Sequence, residues 1–537
     1  MKRIQFGQVA AAATALLILG GCGGGGGSGG GFAALPLPAA VTSASVASVT
    51  LSGTASYDSV PNTSGPLAYS GTTSKPIRGA VVEILDASSA VVASTITNAS
   101  GVYSVSVPGS ASLMVRVKAQ MTQAGSGATW DVTVRDNTQS NAIYAMESPA
   151  FTTSGQPVTR DVHAPSGWGG TSYTGTRVAA PFAVLDTIYD TQAKVLSVSP
   201  TTQFPALRVF WSVNNRPASG DPAIGQIGTT SFSSGSSGSA IYVLGQENVD
   251  TDEYDSSVIA HEWGHYYQAA FSRDDSPGGS HAMTDRLDRR VAFSEGWGNA
   301  WSGIALARGN YTDAVGPAQS QGSNVDLTTG AATTPGWYRE SSIQSIFWNL
   351  NSRVGFKPIH DAMTGAFKNG LAVTSIHPFT AAFNAATPGS FSVLAGLLTS
   401  QNISSAPNDP YGTLETNDGG VTGSAGSLPM YRSATVGGST SACVTNQADP
   451  TLAGNKLGSY VYLTFAVPTA RNYAITVAGP SGSDPDFGVY GGRLIAEANA
   501  VGPTESATVS LQAGSFVLAI NDYNNSSAST CFTVTIQ

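Results

Sequence analysis

Between residues 46 and 120, apolar side chains recur at alternate positions in short runs, the two-residue period of strands with one buried face. The segments 80–85, 91–96 and 101–107 are such runs, rich in β-branched residues and separated by turn formers such as Asn98-Ala99-Ser100-Gly101. From about 179 to 402 the spacing lengthens to a helical one. It predicts helices over 256–271, 290–307, 341–354 and 359–368, after strands over 207–213 and 240–244. The strand period then returns, over 460–467, 473–477, 507–511 and 515–520. Strands followed by clustered helices indicate an α+β unit. The expected organisation is therefore multidomain: a β-sandwich over 46–125, a connecting segment over 126–178, an α+β core over 179–410, a linker over 411–439 and a second β-sandwich over 440–537. No repeat of 20–50 residues is evident, which argues against a solenoid.

The N-terminus has its own pattern. Lys2 and Arg3 precede an apolar run over 9–19, too short to cross a bilayer and typical of a cleaved export signal over 1–21. Leu19-Gly20-Gly21-Cys22 resembles a bacterial lipobox. That resemblance implies acylation of Cys22, and several acyl chains on one residue anchor stably. Gly23 after the cysteine implies, by the same resemblance, the outer membrane, on its periplasmic or cell-surface face. Residues 22–45 are glycine-rich and read as a flexible tether. Cys443 and Cys531 remain as an even pair, expected as a disulfide in an oxidising compartment, with two buried thiols as the alternative.

Charge narrows the partners. The net charge is -9, and no Lys/Arg cluster follows Arg3. A nucleic-acid partner needs a basic surface and is excluded, as is membrane attachment through a polybasic patch.

The strongest chemical signal is His261-Glu262-Trp263-Gly264-His265. Histidines at i and i+4 share one helix face, roughly 6 Å apart along the axis, within reach of one zinc ion. Glu262 lies one step round, placed to bond a water without ligating the metal. Ser256 and Ser257 are the expected cap of this helix. A metzincin pattern would put a third histidine six residues on, but Phe271 stands there and Gln268 replaces the required glycine. His281, Asp285 and Asp288 fall in a polar segment and are expected on a solvated face. Glu295, opening the next helix, is the better third ligand. Asn299, one turn later, is placed to accept an N–H from a ligand histidine and fix its tautomer.

Together, His261-Glu262-Trp263-Gly264-His265 and Glu295-Gly296-Trp297-Gly298-Asn299 resemble the gluzincins, among them the fungalysin and thermolysin peptidases. The resemblance implies a gluzincin-like catalytic core, Zn²⁺ on His261, His265 and Glu295, Glu262 as general base, and a protein or peptide substrate. The family usually carries Asp where Asn299 stands. It also places a donor over the oxyanion; Trp337-Tyr338-Arg339-Glu340 resembles the start of the relevant helix, which points to Tyr338 or Arg339, with His360 and His377 as later alternatives. Residues 76–103 resemble a carboxypeptidase regulatory-like β-sandwich. Asp484-Pro485-Asp486-Phe487 with Ala513-Gly514-Ser515-Phe516 resembles the pre-peptidase C-terminal domain.

Two upstream segments carry weaker signals. The 240–244 run is a candidate edge strand for an extended peptide, or an ordinary core strand. The acidic run 250–255 is either a Ca²⁺ site, without EF-hand spacing, or a set of charges at a helix N-terminus. Two other functions compete with peptide hydrolysis: an inactive surface binding or adhesion lipoprotein with a peptidase-like core, and a zinc hydrolase of non-peptide bonds.

Overall fold

The computed structural model describes residues 47–421, 428–446, 454–525 and 527–537. The export signal, Cys22 and the glycine tether lie outside the described residues. Seven α-helices occur among them: α1 (Ala180–Leu196), α2 (Ser256–Phe271), α3 (Arg289–Leu306), α4 (Glu340–Val354), α5 (Phe356–Thr364), α6 (Ile376–Ala386) and α7 (Phe391–Ser400).

A ten-stranded sheet forms the backbone of the larger half. Its path runs Ser231–Gly235, Gly238–Val243, Leu207–Trp211, Trp130–Asp136, Ser112–Gln123, Ala80–Asp86 and Val91–Ile96, with three short strands beside it. N-terminal strands thus continue into those before α2, through a parallel ladder from Leu207↔Val132 to Phe210↔Arg135. The borders expected at 125 and 178 do not divide the fold. Trp130–Asp136, expected in a connecting segment, sits mid-sheet. Val132, Thr133 and Val134 are buried in succession there, so the strand has both faces covered and lacks alternation. Helix α1 packs across it and the Ser112–Gln123 strand.

A second, five-stranded sheet is built on Ser48–Ser59, which alternates buried and exposed positions along its length. It pairs with Val102–Pro108 and, in parallel, with Val158–Thr159 and Val162–Ala164. Leu51, Ala55 and Tyr57 share one apolar core with Val82, Ile84, Val115 and Val117 of the large sheet.

The C-terminal hundred residues fold as five- and four-stranded sheets around a core of their own, including Leu463, Ile475, Val489 and Leu518. Cys443 and Cys531 face each other on adjacent strands and are joined by a disulfide. This sandwich rests on the start of α3. The Arg289 guanidinium lies 4.2 Å from the Tyr462 ring and that of Arg290 4.1 Å from the Tyr460 ring. The Tyr462 hydroxyl donates to Asp288 Oδ2 at 2.6 Å, while Asp288 Oδ1 caps α3 by accepting from the Arg290 N–H.

Candidate metal centre

Helix α2 spans the residues its periodicity predicts, although Asp255, not a serine, occupies the N-cap position. It turns Trp263, Tyr266 and Tyr267 into an aromatic layer with Trp297 and Trp301 of α3; Trp263 and Trp301 stack at 5.3 Å. Helix α3 is buried along almost its whole length. It approaches α2 closely because two glycines meet. A Cβ on Gly264 would lie 3.0 Å from Gly298 Cα, and one on Gly298 would lie 2.8 Å from His261 Cε1.

That approach brings Glu295 to the paired histidines. Glu295 Oε2 lies 3.2 Å from His261 Nε2 and 3.4 Å from His265 Nε2, and the two Nε2 atoms are 3.1 Å apart. The Nδ1 atoms are committed elsewhere. His261 Nδ1 donates to Asn299 Oδ1 at 2.9 Å. His265 Nδ1 donates at 3.1 Å to Ser294 Oγ, whose hydroxyl is itself donated to Asp274 Oδ2. With both Nδ1 protons committed there, each Nε2 is the atom left to carry a proton or bind a metal ion, and both face a carboxylate. Such a cluster is relieved by a cation between them, and its N, N, O donor set suits Zn²⁺. Burial pushes Glu295 up, yet the histidines around it, His265 foremost, hold it well below the usual carboxylate range. Burial raises Glu262 instead. Its Oε2 accepts the Phe232 backbone N–H at 2.7 Å.

His281 lies in an exposed loop, as expected, but its ring turns inward to the cluster. It sits between Glu295 and Glu340, with Nε2 3.2 Å from Glu295 Oε2 and Nδ1 2.8 Å from Glu340 Oε2. Burial lowers its pKa, but the two carboxylates override this and raise it to about 11. Its loop is pinned from behind: Arg339 donates to the Thr284 carbonyl, and Lys456 pairs with Asp285 at 2.7 Å. Arg339 is thus spent on loop anchoring, with a further bond to Thr334 Oγ1. The Tyr338 ring packs against Gly336 and Gly419. Neither lines the cavity beside His261, because the chain ahead of α4 turns Glu340, not its two predecessors, toward His281. His360 accepts from or donates to the Tyr267 hydroxyl at 2.8 Å, and His377 is buried on α6; neither joins the cluster.

Tyr311, on the Asn310–Val315 strand, carried no signal in the sequence. Its ring lies 6.0 Å from that of His261. Burial, then the charges of Asp313 and Glu262, keeps its phenol protonated and able to donate.

Cavities flank the motif on both sides. One of about 310 Å³ is lined by Thr230, Glu262, His281 and Tyr311; one of about 1250 Å³ by Phe232, His265, Tyr460 and Arg493. The strand between them is Ser231–Gly235, the end of the sheet path. The expected edge at 240–244 is interior, since Gly238–Val243 pairs on both sides. The Phe-Ser-Ser-Gly composition of the true edge hides it from an apolar-run search.

The acidic run disperses. Glu253 pairs with Arg177 at 3.0 Å, and Asp255 accepts from the Asn62 amide and the Ala314 N–H. Asp250 and Asp252 turn instead toward Asp313.

No protein-family model matches the chain, and no curated protein matches it. Among solved structures, the pre-peptidase C-terminal domain of a collagenase from Bacillus anthracis is similar at 14% identity, covering 20% of this chain and 94% of that one, with a TM-score of 0.17. A periplasmic inhibitor of g-type lysozyme from Aeromonas hydrophila gives 14% identity, coverages of 20% and 99%, and a TM-score of 0.14. A β-glucosidase from Paenibacillus barengoltzii gives 10%, coverages of 80% and 44%, and 0.13. At such TM-scores these likenesses carry no argument about fold or function.

Proposed function

We propose that the chain is a zinc-dependent peptidase of gluzincin type, exported and lipid-anchored through Cys22 at a bacterial outer membrane. The observation that carries this reading is the convergence of His261 Nε2, His265 Nε2 and a Glu295 oxygen with both Nδ1 protons committed elsewhere. Zn²⁺ held by these three residues would polarise the scissile carbonyl and bring the pKa of water from ~15.7 toward ~7.

The remaining steps belong to the chain itself. Glu262 takes a proton from water as its oxygen bonds to the carbonyl carbon, then passes it to the amine nitrogen as the C–N bond breaks. The raised pKa of Glu262 suits a group that must both accept and return a proton. His281, protonated between Glu295 and Glu340, would turn the Nε2–H that faces Glu295 to the developing oxyanion while Nδ1–H stays on Glu340, the role first expected of Tyr338 or Arg339. The Ser231–Gly235 edge pairs with an extended peptide by strand addition, laying it along both cavities.

The test is zinc content and casein hydrolysis of the soluble chain beginning after Cys22, beside Glu262→Gln. Both proteins should hold about one zinc, while hydrolysis falls roughly 10²–10⁴-fold in the variant. Undiminished hydrolysis by Glu262→Gln, or no zinc in the unmodified chain, overturns the reading.

A further inference from the structure

A second set of ligand-type oxygens opens on the cavity that holds His261 and Glu262. Asp250 comes from the short Asp250–Thr251 strand, Asp252 from the turn that follows, and Asp313 from the Asn310–Val315 strand. One carboxylate oxygen from each lies within 4.8 Å of the other two. Oxygens bound to one Ca²⁺ at 2.3–2.6 Å are separated by at most ~5 Å, so this spacing is what a shared ion requires.

Their surroundings leave them short of partners. Asp252 is only 2% exposed. Its Oδ2 accepts from the Thr230 hydroxyl, but its Oδ1 is buried with no hydrogen-bond partner, and the same holds for Asp250 Oδ1. Among the described residues, no Arg, Lys or His forms an ion pair with any of the three. Glu253, in the same run, shows the contrast: Arg177 neutralises it at 3.0 Å. Buried carboxylates without a counter-charge are costly, and a cation in their midst removes the cost. An all-carboxylate donor set selects a hard, oxygen-seeking ion over Zn²⁺. Thr229, Thr230 and Ser323 line the same space and bring further oxygens.

We propose that Asp250, Asp252 and Asp313 form a Ca²⁺ site, separate from the His261, His265 and Glu295 cluster. The ion clamps the segment leading into α2 onto the Asn310–Val315 strand. Tyr311 stands two positions before Asp313, on the same face of that strand, so the clamp also sets the ring beside His261.

Ca²⁺ itself is the probe. The soluble chain beginning after Cys22 is freed of metal and titrated by calorimetry, with melting temperature followed in parallel. The unmodified chain and His261→Ala should each take up one Ca²⁺ and melt higher in its presence. Asp250→Asn should bind roughly tenfold or more weakly as the ligand charge falls, and Asp250→Asn/Asp313→Asn should bind none. Should the double variant misfold, the single variant and the unmodified chain decide. No uptake by the unmodified chain, or equal affinity in Asp250→Asn, overturns the site. Uptake by His261→Ala separates this result from the peptidase reading, which casein hydrolysis tests on its own.

Discussion

The His261, His265 and Glu295 cluster and the Asp250, Asp252 and Asp313 cluster reach the same region by different routes. The first is carried by two helices. One helical turn sets the histidines together, one glycine contact delivers the glutamate, and each imidazole is oriented by a bond behind it. The second is carried by short strands and a turn, its members brought together only by the pairing of Asp250 with Val315 and the course of the chain to Asp252. Among the described residues, no Arg, Lys or His pairs with it. A helix-borne site has its geometry built in by packing; a loop-borne carboxylate site owes its geometry to the charge that fills it.

Three substitutions sharpen this contrast. His281→Gln should lower kcat for casein roughly 10²–10³-fold, with KM and zinc content little changed, since it removes a donor to the oxyanion and no ligand. An unaffected kcat would shift that role to Tyr311. Asn299→Ala should weaken zinc about 10–100-fold, read by competition with a chelator, by freeing the His261 ring, while Ca²⁺ uptake stays as it was. A parallel loss of Ca²⁺ would mean that the two clusters are one coupled unit. Gly298→Ala places a methyl group against the His261 ring and should cost about 1–3 kcal/mol in urea unfolding, with lowered zinc content. An unchanged denaturation midpoint would remove the glycine contact from the account of how Glu295 arrives.

What the sequence made legible follows the range of the interactions involved. Helix α2, with His261, Glu262 and His265 on it, is a local pattern, and the structure places it over the expected residues. The outward-alternating strands of the C-terminal sandwich are local patterns too. Trp130–Asp136 escaped because a doubly covered strand has no alternation, and α1 because Thr187, Ile188, Tyr189 and Thr191 dilute its helix formers with β-favouring residues. His281 escaped for a different reason. Its polar neighbours describe a solvated loop, and only the tertiary placement of Glu295 and Glu340 makes it part of the centre. The edge strand Ser231–Gly235 is similarly a fact of topology rather than of composition.

The two arginines at the start of α3 have a consequence for motion. Arg289 and Arg290 are almost wholly buried, with tyrosine rings of the C-terminal sandwich over their guanidinium groups. Swinging the sandwich away would give up these cation–π contacts, worth up to ~2 kcal/mol each, and the Tyr462–Asp288 hydrogen bond with them. The junction is therefore a lock, not a hinge. The 1250 Å³ cavity is walled on one side by Tyr460 and Arg493 of this sandwich, so the same lock holds its width.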